Sequence, residues 1–279
     1  MTINCRGILI DLNSPIVMGV LNLTPDSFYD GGKFKNPTSI LKQVKKMLDE
    51  GASILDLGAY SSRPGAEHVS EDEELLRLLP IINLILKEFP DCILSIDTFR
   101  SKVANKSLQL GAAIINDISA GNLDDNIFEI VAHHQVPYIM MHMKGTPQNM
   151  KELTDYDDLI KDLITYFSER VAIARATKIN DIIIDPGFGF AKTTAQNFQL
   201  LANFDLFQTF DLPLLAGLSR KSMIYKTLNL RPAQALNGTT ALHMIALQNG
   251  ANILRAHDVK EAKECIALFQ ELVANRISI

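Results

Sequence analysis

Two aspartates and one asparagine stand directly after apolar stretches of the chain. Asp97 ends CILSID, Asn116 follows AAII, and Asp185 ends DIIID. Carboxylates accept hydrogen bonds from paired N–H groups, and an amide both donates and accepts. The trio therefore suits a flat heterocycle with an amino group beside a ring N–H, such as a guanine-like or pterin-like edge. Lys221 is a candidate donor to the same ring, or else a solvated lysine in the first turn of a helix.

Positive charge and a metal-type ligand follow other apolar stretches. Arg255, His257 and Arg63 supply charge for a phosphate or carboxylate, and Asn22 offers a neutral oxygen suited to Mg²⁺. A single Asn or Asp in such a place often caps a turn. The set as a whole is nearly all polar in a chain that is 47% hydrophobic, which indicates a site. Its members are Asn22, Asp56, Asp97, Asn116, Met141 with His142, Asp185, Ser219 with Lys221, and Arg255 with His257.

These residues recur because the chain repeats one unit, an apolar stretch followed by a helical one. In DIIIDPGFGFAKT, residues 181–193, three isoleucines predict a strand buried on both faces, which Pro186 ends. Eight such units predict an α/β fold, a (β/α)8 TIM barrel, preceded by a short β-hairpin within residues 3–13. An open doubly wound sheet is the alternative, but no GxGxxG turn follows the first strand. The strands are predicted at 16–23, 53–58, 92–97, 112–119, 137–143, 181–185, 212–219 and 251–258.

A barrel gathers the residues that follow its strands at one rim, where active sites of this fold lie. The two longest strand-to-helix loops, after Asn22 and after Gly58, are predicted to be functional lids. No Pro/Ser-rich linker divides the chain, so residues 1–279 are predicted to form a single domain.

Composition excludes several classes of protein. A net charge of −5 argues against general nucleic-acid binding. No stretch approaches the roughly 20 apolar residues that cross a bilayer, so we expect no membrane partner and a cytoplasmic location. Cys5, Cys92 and Cys265 are widely spaced without a CxxC pair, which indicates neither a disulfide framework nor structural zinc.

A series of motifs spans almost the whole chain in order. They are MGVLNLTPDSFYDGGK (18–33), ILDLGAYSSRPGAE (54–67), SIDTF (95–99), IINDIS (114–119), DPGFGFAKT (185–193), GLSRKSM (217–223) and RAHDV (255–259). By these motifs the chain resembles the dihydropteroate synthase family, pterin-binding TIM barrels of folate biosynthesis that are targets of sulfonamides. The resemblance implies a transferase that joins 6-hydroxymethyl-7,8-dihydropterin diphosphate to para-aminobenzoate, with Mg²⁺ and as a homodimer, most simply through the C-terminal helices.

The resemblance also implies a role for each motif residue. The implied pterin residues are Asp97, Asn116, Asp185, Lys221 and Arg255, and all of these except Asn116 are also implied to be catalytic. The implied para-aminobenzoate residues are Ser62, Arg63, Pro64, Phe190 and Ser219. The implied diphosphate residues are Asn22, Arg63, Arg255 and His257, with Asn22 also as the metal ligand.

Two positions depart from the family pattern. Tyr60 stands where the family often has glutamate, and Ala191 where it often has a second glycine. No nucleophilic side chain is needed, since diphosphate leaves readily once its charge is neutralised, so we expect a dissociative, SN1-like substitution in which the aniline nitrogen attacks last. The rival readings are a pterin-dependent methyltransferase with a corrinoid partner, a Schiff-base aldolase using Lys221, and a barrel that only binds.

Overall fold

Eight parallel strands form a closed barrel in the computed structural model, which describes residues 1–23, 37–60 and 69–276 and the backbone of 29–30 and 33–34. The barrel strands are β3 (Ile16–Asn22), β6 (Ile54–Gly58), β7 (Leu94–Asp97), β8 (Ile114–Asp117), β9 (Tyr138–Met141), β10 (Ile182–Asp185), β11 (Leu215–Ala216) and β12 (Ile253–Ala256). Their order is β10-β9-β8-β7-β6-β3-β12-β11. A parallel bridge between Ile184 and Leu214 joins the two ends of this series, with Ile184 N donating to Pro213 O at 2.9 Å. The predicted (β/α)8 barrel is confirmed.

Helices cover the outside of the barrel. They are Pro37–Asp49, Glu71–Glu88, Ser101–Leu110, Ile127–His134, Leu159–Ala176, Thr194–Ala202, Ser222–Thr227, Leu236–Gln248 and Val259–Ala274. Three short 3-10 helices lie at Met150–Glu152, Phe204–Phe210 and Pro232–Gln234. Because helices cover one face of the strands and the barrel interior the other, almost every strand residue is buried, as the uninterrupted apolar runs predict. No helix in the described part of the chain has the length and apolar character to span a bilayer.

The N-terminal hairpin closes the bottom of the barrel. β1 (Thr2–Cys5) and β2 (Ile8–Asp11) pair antiparallel, as predicted. Ile3, Cys5 and Leu12 are buried in one apolar cluster with inward-facing residues near the starts of the barrel strands, among them Ile183. The opposite, C-terminal end therefore remains available for the site.

Part of the predicted site lies outside the described residues. This applies to Ser62, Arg63 and Pro64, and to most of the first lid loop. Two short strands, β4 (Tyr29–Asp30) and β5 (Lys33–Phe34), pair antiparallel within that first loop.

Candidate active site

The strand register brings the predicted pterin residues to one level of the rim. Asn22 of β3 lies opposite Gly58 of β6, Gly58 opposite Asp97 of β7, and Asp97 opposite Asn116 of β8. Asp185 ends β10 on the far side of the barrel. Asn116 and Asp185 are 4% and 5% exposed, so both side chains are removed from bulk water. Polar groups held in such apolar surroundings interact strongly with a ligand that replaces the water.

Arg255 of β12 binds carboxylates on two other strands, β6 and β7. Its Nε donates to Asp56 Oδ2 at 2.7 Å, and its Nη2 donates to Asp97 Oδ2 at 2.8 Å. Asn116 Nδ2 also donates to Asp56 Oδ2, at 3.1 Å. Asp56 is fully buried, and its Oδ1 has no hydrogen-bond partner among the described residues. Asp56 is predicted on the rim from its place in the sequence, without a role, and in the structure its carboxylate orients both Arg255 and Asn116.

Asp97 is electrostatically perturbed by this cluster. Burial raises the pKa of its carboxyl from 3.8 to about 7, Arg255 opposes the rise, and the neighbouring charge of Asp56 adds to it. The carboxyl of Asp97 therefore has a pKa displaced toward neutrality while it accepts from Arg255 at the rim.

Asp185 and Lys221 form the opposite side of the site. Asp185 Oδ1 accepts from Gly187 N at 2.8 Å, while burial raises the pKa of the carboxyl and Lys221 opposes that rise. Burial lowers the pKa of Lys221 to about 8, and Asp185 acts in the other direction. A Cβ at Gly217 would lie 3.6 Å from Lys221 Nζ and 3.9 Å from Asp185 Oδ2, which are ordinary contact distances, so Gly217 adjoins this pair.

The loop after β10 depends on left-handed backbone positions. Gly187 and Gly189 have φ of 77° and 81°, and a Cβ at Gly187 would collide with the carbonyl oxygen of His142. Ala191 has φ of 47°, a left-handed conformation that a glycine adopts without strain and that costs an alanine about 1–2 kcal/mol. Phe190 is partly buried against the apolar cluster that contains Met141 and Ala191, and Lys221 Nζ lies 4.8 Å from its ring centroid.

Ser219 and His257 come together as the anion side of the predicted site. Ser219 Oγ accepts from His257 N at 3.2 Å and lies 3.1 Å from His257 Nδ1. Two residues assigned to different substrates by motif are therefore neighbours. Such a contact is expected where the two substrates must meet.

Tyr60, the residue that departs from the family pattern, is part of an aromatic wall. Its ring packs edge-on against Phe99 at 5.2 Å, and the Arg100 guanidinium lies 5.3 Å from its centroid. Gln148 Nε2 donates to the Tyr60 hydroxyl at 2.6 Å. The substitution thus links the second loop to the segment after β9, a contact that only the folded chain makes.

A closed parallel barrel with carboxylates, an amide and two cations at its C-terminal rim has the arrangement of a TIM-barrel enzyme. Comparison with known proteins agrees with this class. Residues 18–257 match the family model described as pterin binding enzyme. The chain belongs to this family, within its dihydropteroate synthases.

Individual relatives match over most of their lengths. The dihydropteroate synthase of Escherichia coli (strain K12) is 41% identical over 97% of this chain and 96% of its own length. That of Synechocystis is 46% identical over 88% and 85%, respectively. A crystal structure of the Yersinia pestis dihydropteroate synthase in a sulfonamide drug complex superposes with a TM-score of 0.92 at 42% identity, covering 98% of this chain and all of the other. The Xanthomonas albilineans enzyme with 4-aminobenzoic acid gives a TM-score of 0.91 at 36% identity and covers 99% of both chains.

Proposed function

We propose that this enzyme joins 6-hydroxymethyl-7,8-dihydropterin diphosphate to para-aminobenzoate and releases 7,8-dihydropteroate and diphosphate. The observation that carries the proposal is the convergence of Asp97, Asn116, Asp185, Lys221 and Arg255 on one end of one barrel. Relatives whose names specify this reaction support it over most of the chain.

The pterin ring is proposed to lie among the buried polar groups. Asp97 and Asp185 accept from its amino and ring N–H groups, Asn116 both donates and accepts, and Lys221 donates to the ring. Arg255 packs beside the ring and near the diphosphate. The contacts among these side chains pre-organise them, so little reorganisation is needed when the substrate binds.

The substitution is proposed to be dissociative. The bond between the exocyclic methylene carbon and the diphosphate oxygen breaks first, which leaves a cationic dihydropterin. Asp97 and Asp185 stabilise that positive charge, and the aniline nitrogen then forms the new C–N bond and loses a proton to solvent. This order predicts an intermediate from which diphosphate is already released. Crystals soaked with both substrates that showed only concerted geometry would contradict it.

Para-aminobenzoate is proposed to bind beside the loop after β10. Phe190 and Ser219 supply one side of this pocket, and Ser62, Arg63 and Pro64 complete it in the proposal. The partial exposure of Phe190 supports a surface for a flat aromatic ring, and Lys221 borders both pockets.

Mg²⁺ is proposed as the cofactor, with Asn22 as its protein ligand. The described residues contain no cluster of three His, Cys, Asp or Glu side chains arranged for a metal ion. A single amide oxygen still fits Mg²⁺, because this ion usually keeps several waters and binds substrate phosphates. The bound ion would neutralise charge on the leaving diphosphate, to which His257, Arg255 and Arg63 also bind in the proposal. Chelation with EDTA is expected to stop turnover, and added Mg²⁺ to restore it.

A homodimer through the C-terminal helix is also proposed. Leu268, Leu272 and Val273 of Val259–Ala274 are 64%, 56% and 56% exposed, a large apolar surface for one helix. Light scattering of the wild type should give the mass of two chains, and Leu268→Glu with Leu272→Glu that of one. Leu206→Glu, at an exposed leucine of another element, is the matched control and should leave the dimer intact. A wild type that is monomeric at micromolar concentration would contradict this proposal. The cytoplasmic location stays a prediction.

The decisive experiment measures diphosphate release. Release is expected only when pterin diphosphate and para-aminobenzoate are both present, and Asp185→Asn should weaken pterin diphosphate binding severely in calorimetry. Release with neither dependence would overturn the proposal. The same protein should give no methyl transfer to a corrinoid and no borohydride-trapped adduct at Lys221, the signatures of the methyltransferase and aldolase readings.

A further inference from the structure

Four of the five carbonyl oxygens in residues 187–191 accept hydrogen bonds from side chains. Lys192 Nζ donates to the carbonyl oxygens of Gly187 and Phe190, at 3.0 and 3.2 Å. Lys221 Nζ donates to Phe188 O. Asn197 Oδ1 accepts from Gly189 N at 2.6 Å, and Tyr156 Oη donates to Ala191 O at 2.8 Å. Lys192 therefore holds both ends of the GFGF segment.

Lys192 is placed so that each of its ammonium protons has an acceptor. The third acceptor is His142 Nδ1, 3.1 Å from Nζ. An ammonium has three donors and no acceptor, so these three contacts satisfy it completely. Burial lowers the pKa of Lys192 itself to about 7, and Asp185 opposes that shift. When Lys192 carries its proton and donates, the His142 ring is neutral and accepts at Nδ1. Burial, followed by Lys192 itself, lowers the pKa of His142 well below its ordinary value, which agrees with that assignment.

Burial shows that this lysine has a specific position. Lys192 is only 8% exposed, and His142 is 3% exposed and packed edge-on against Tyr166 at 4.8 Å. A lysine rarely loses contact with water unless several fixed partners compensate it. The hydrogen bonds of the Lys192 ammonium are all made to His142 and the loop, so Lys192 binds the loop rather than a ligand.

We propose that Lys192 is a positioning residue for the para-aminobenzoate pocket: by holding the carbonyls of Gly187 and Phe190 against His142, it fixes where the Phe190 ring stands beside Lys221. This inference rests on the proposed function. Ala191 follows Phe190 and has a strained left-handed backbone, which makes such an anchor necessary. If Lys192 released Phe190 O, Ala191 would relax toward ordinary backbone angles.

The test compares Lys192→Met with a variant that loses stability elsewhere. Met keeps most of the stem and removes all three donors. Ile85→Ala is the matched control, since Ile85 is fully buried in the helix Glu71–Glu88, whereas Lys192 lies in the loop after β10. Lys192→Gln, which keeps an amide donor, serves as the conservative variant and guards against failure of Lys192→Met to fold.

The expected result is a split between kinetic constants. In Lys192→Met the KM for para-aminobenzoate should rise roughly 10-fold or more, as the loss of one or more charge-assisted hydrogen bonds at the pocket wall would give. The Kd of pterin diphosphate should stay within about 3-fold, because the Asp97 and Asn116 groups are untouched. Lys192→Gln should fall between wild type and Lys192→Met. Ile85→Ala should melt at a lower temperature with an unchanged KM.

Amide hydrogen exchange across residues 186–193 separates this inference from the proposed function. Exchange should accelerate in Lys192→Met and not in Ile85→Ala. Unchanged exchange, or an unchanged KM for para-aminobenzoate in an active variant, would overturn the positioning role. A wild type that never uses para-aminobenzoate would overturn the proposed function, and with it the assignment of this pocket, even if exchange responded as expected.

Discussion

Replacing Asp97 with asparagine should stabilise the fold at alkaline pH while it destroys the site. Burial raises the pKa of this carboxyl from 3.8 to about 7, so ionised Asp97 is less favourable in the folded than in the unfolded chain. The sign follows directly. Below about pH 4 the Asp97 carboxyl is protonated in both the folded and the unfolded chain, so it costs no stability. As pH rises from about 4 through 7, the carboxyl ionises more readily in the unfolded chain, and the free energy of unfolding falls.

The magnitude follows from the size of that difference. About three pKa units correspond to roughly 4 kcal/mol at pH 8, and asparagine, which is never ionised, avoids that cost. The attraction between Asp97 and Arg255 is already contained in the shifted pKa of Asp97, so the expected gain at pH 8 stays at roughly 4 kcal/mol. An unfolding entropy of roughly 2 cal/mol/K per residue converts this to a rise in Tm of about 7 °C.

The assay is thermal unfolding of wild type and Asp97→Asn at pH 5 and pH 8, with calorimetry of pterin diphosphate at pH 8. The Tm difference should be larger at pH 8 than at pH 5, and binding should weaken about 100-fold or more as a buried charged partner is removed. Asp205→Asn, at an exposed aspartate, is the control and should show no pH-dependent difference. A Tm for Asp97→Asn that falls at pH 8, or that shifts equally at both pH values, would refute the reasoning.

Three further predictions concern the same rim. Asp97 must be ionised and has a pKa near 7, whereas Lys221 must keep its proton and has a pKa near 8. The value of kcat/KM should therefore peak between pH 7 and 8, and Lys221→Met should lack the decline at alkaline pH. A profile that is flat from pH 6 to 9 would contradict both pKa values. Asp56→Asn should lower kcat/KM by roughly 10- to 100-fold, because Arg255 and Asn116 lose the carboxylate that orients them, and steady-state kinetics with both substrates will measure it. Ala191→Gly should leave the free energy of unfolding within about 1 kcal/mol, as relief of the left-handed strain offsets the greater freedom of glycine in the unfolded chain; a loss above 2 kcal/mol in urea unfolding would be the contrary result.

The sequence predicted the architecture because the determining signals are local. Apolar runs such as Ile182–Ile184 give a buried strand wherever helices cover both faces, and the spacing of such runs leads to the barrel. Segment ends were less well determined. The strand expected at 212–219 is two residues long, Leu215–Ala216, with a single bridge at Leu214 before it, because irregular and turn backbone occupies the other positions.

The site was only partly predictable for a physical reason. A strand-end position shows that a side chain faces the rim, but it does not show the side chain's partner. Arg255 contacts Asp97 across 158 residues of sequence and Asp56 across 199. Those contacts exist only because the barrel closes, and no local pattern contains them. The signal that would have found Asp56 was present, since it occupies the interior of a buried strand where an unpaired carboxylate is costly.

By itself, the sequence determined the eight strand and helix units, the polar residues that follow the strands, and membership in a family whose motifs cover the chain. The tertiary structure alone decided the electrostatic state of those residues. It buried Asp97 and Lys221 until their pKa values moved toward neutrality, and it gave Lys192 three acceptors around one ammonium. Burial and the distance between charges are properties of the closed barrel, and they set the strength of an interaction that a list of residue types leaves open.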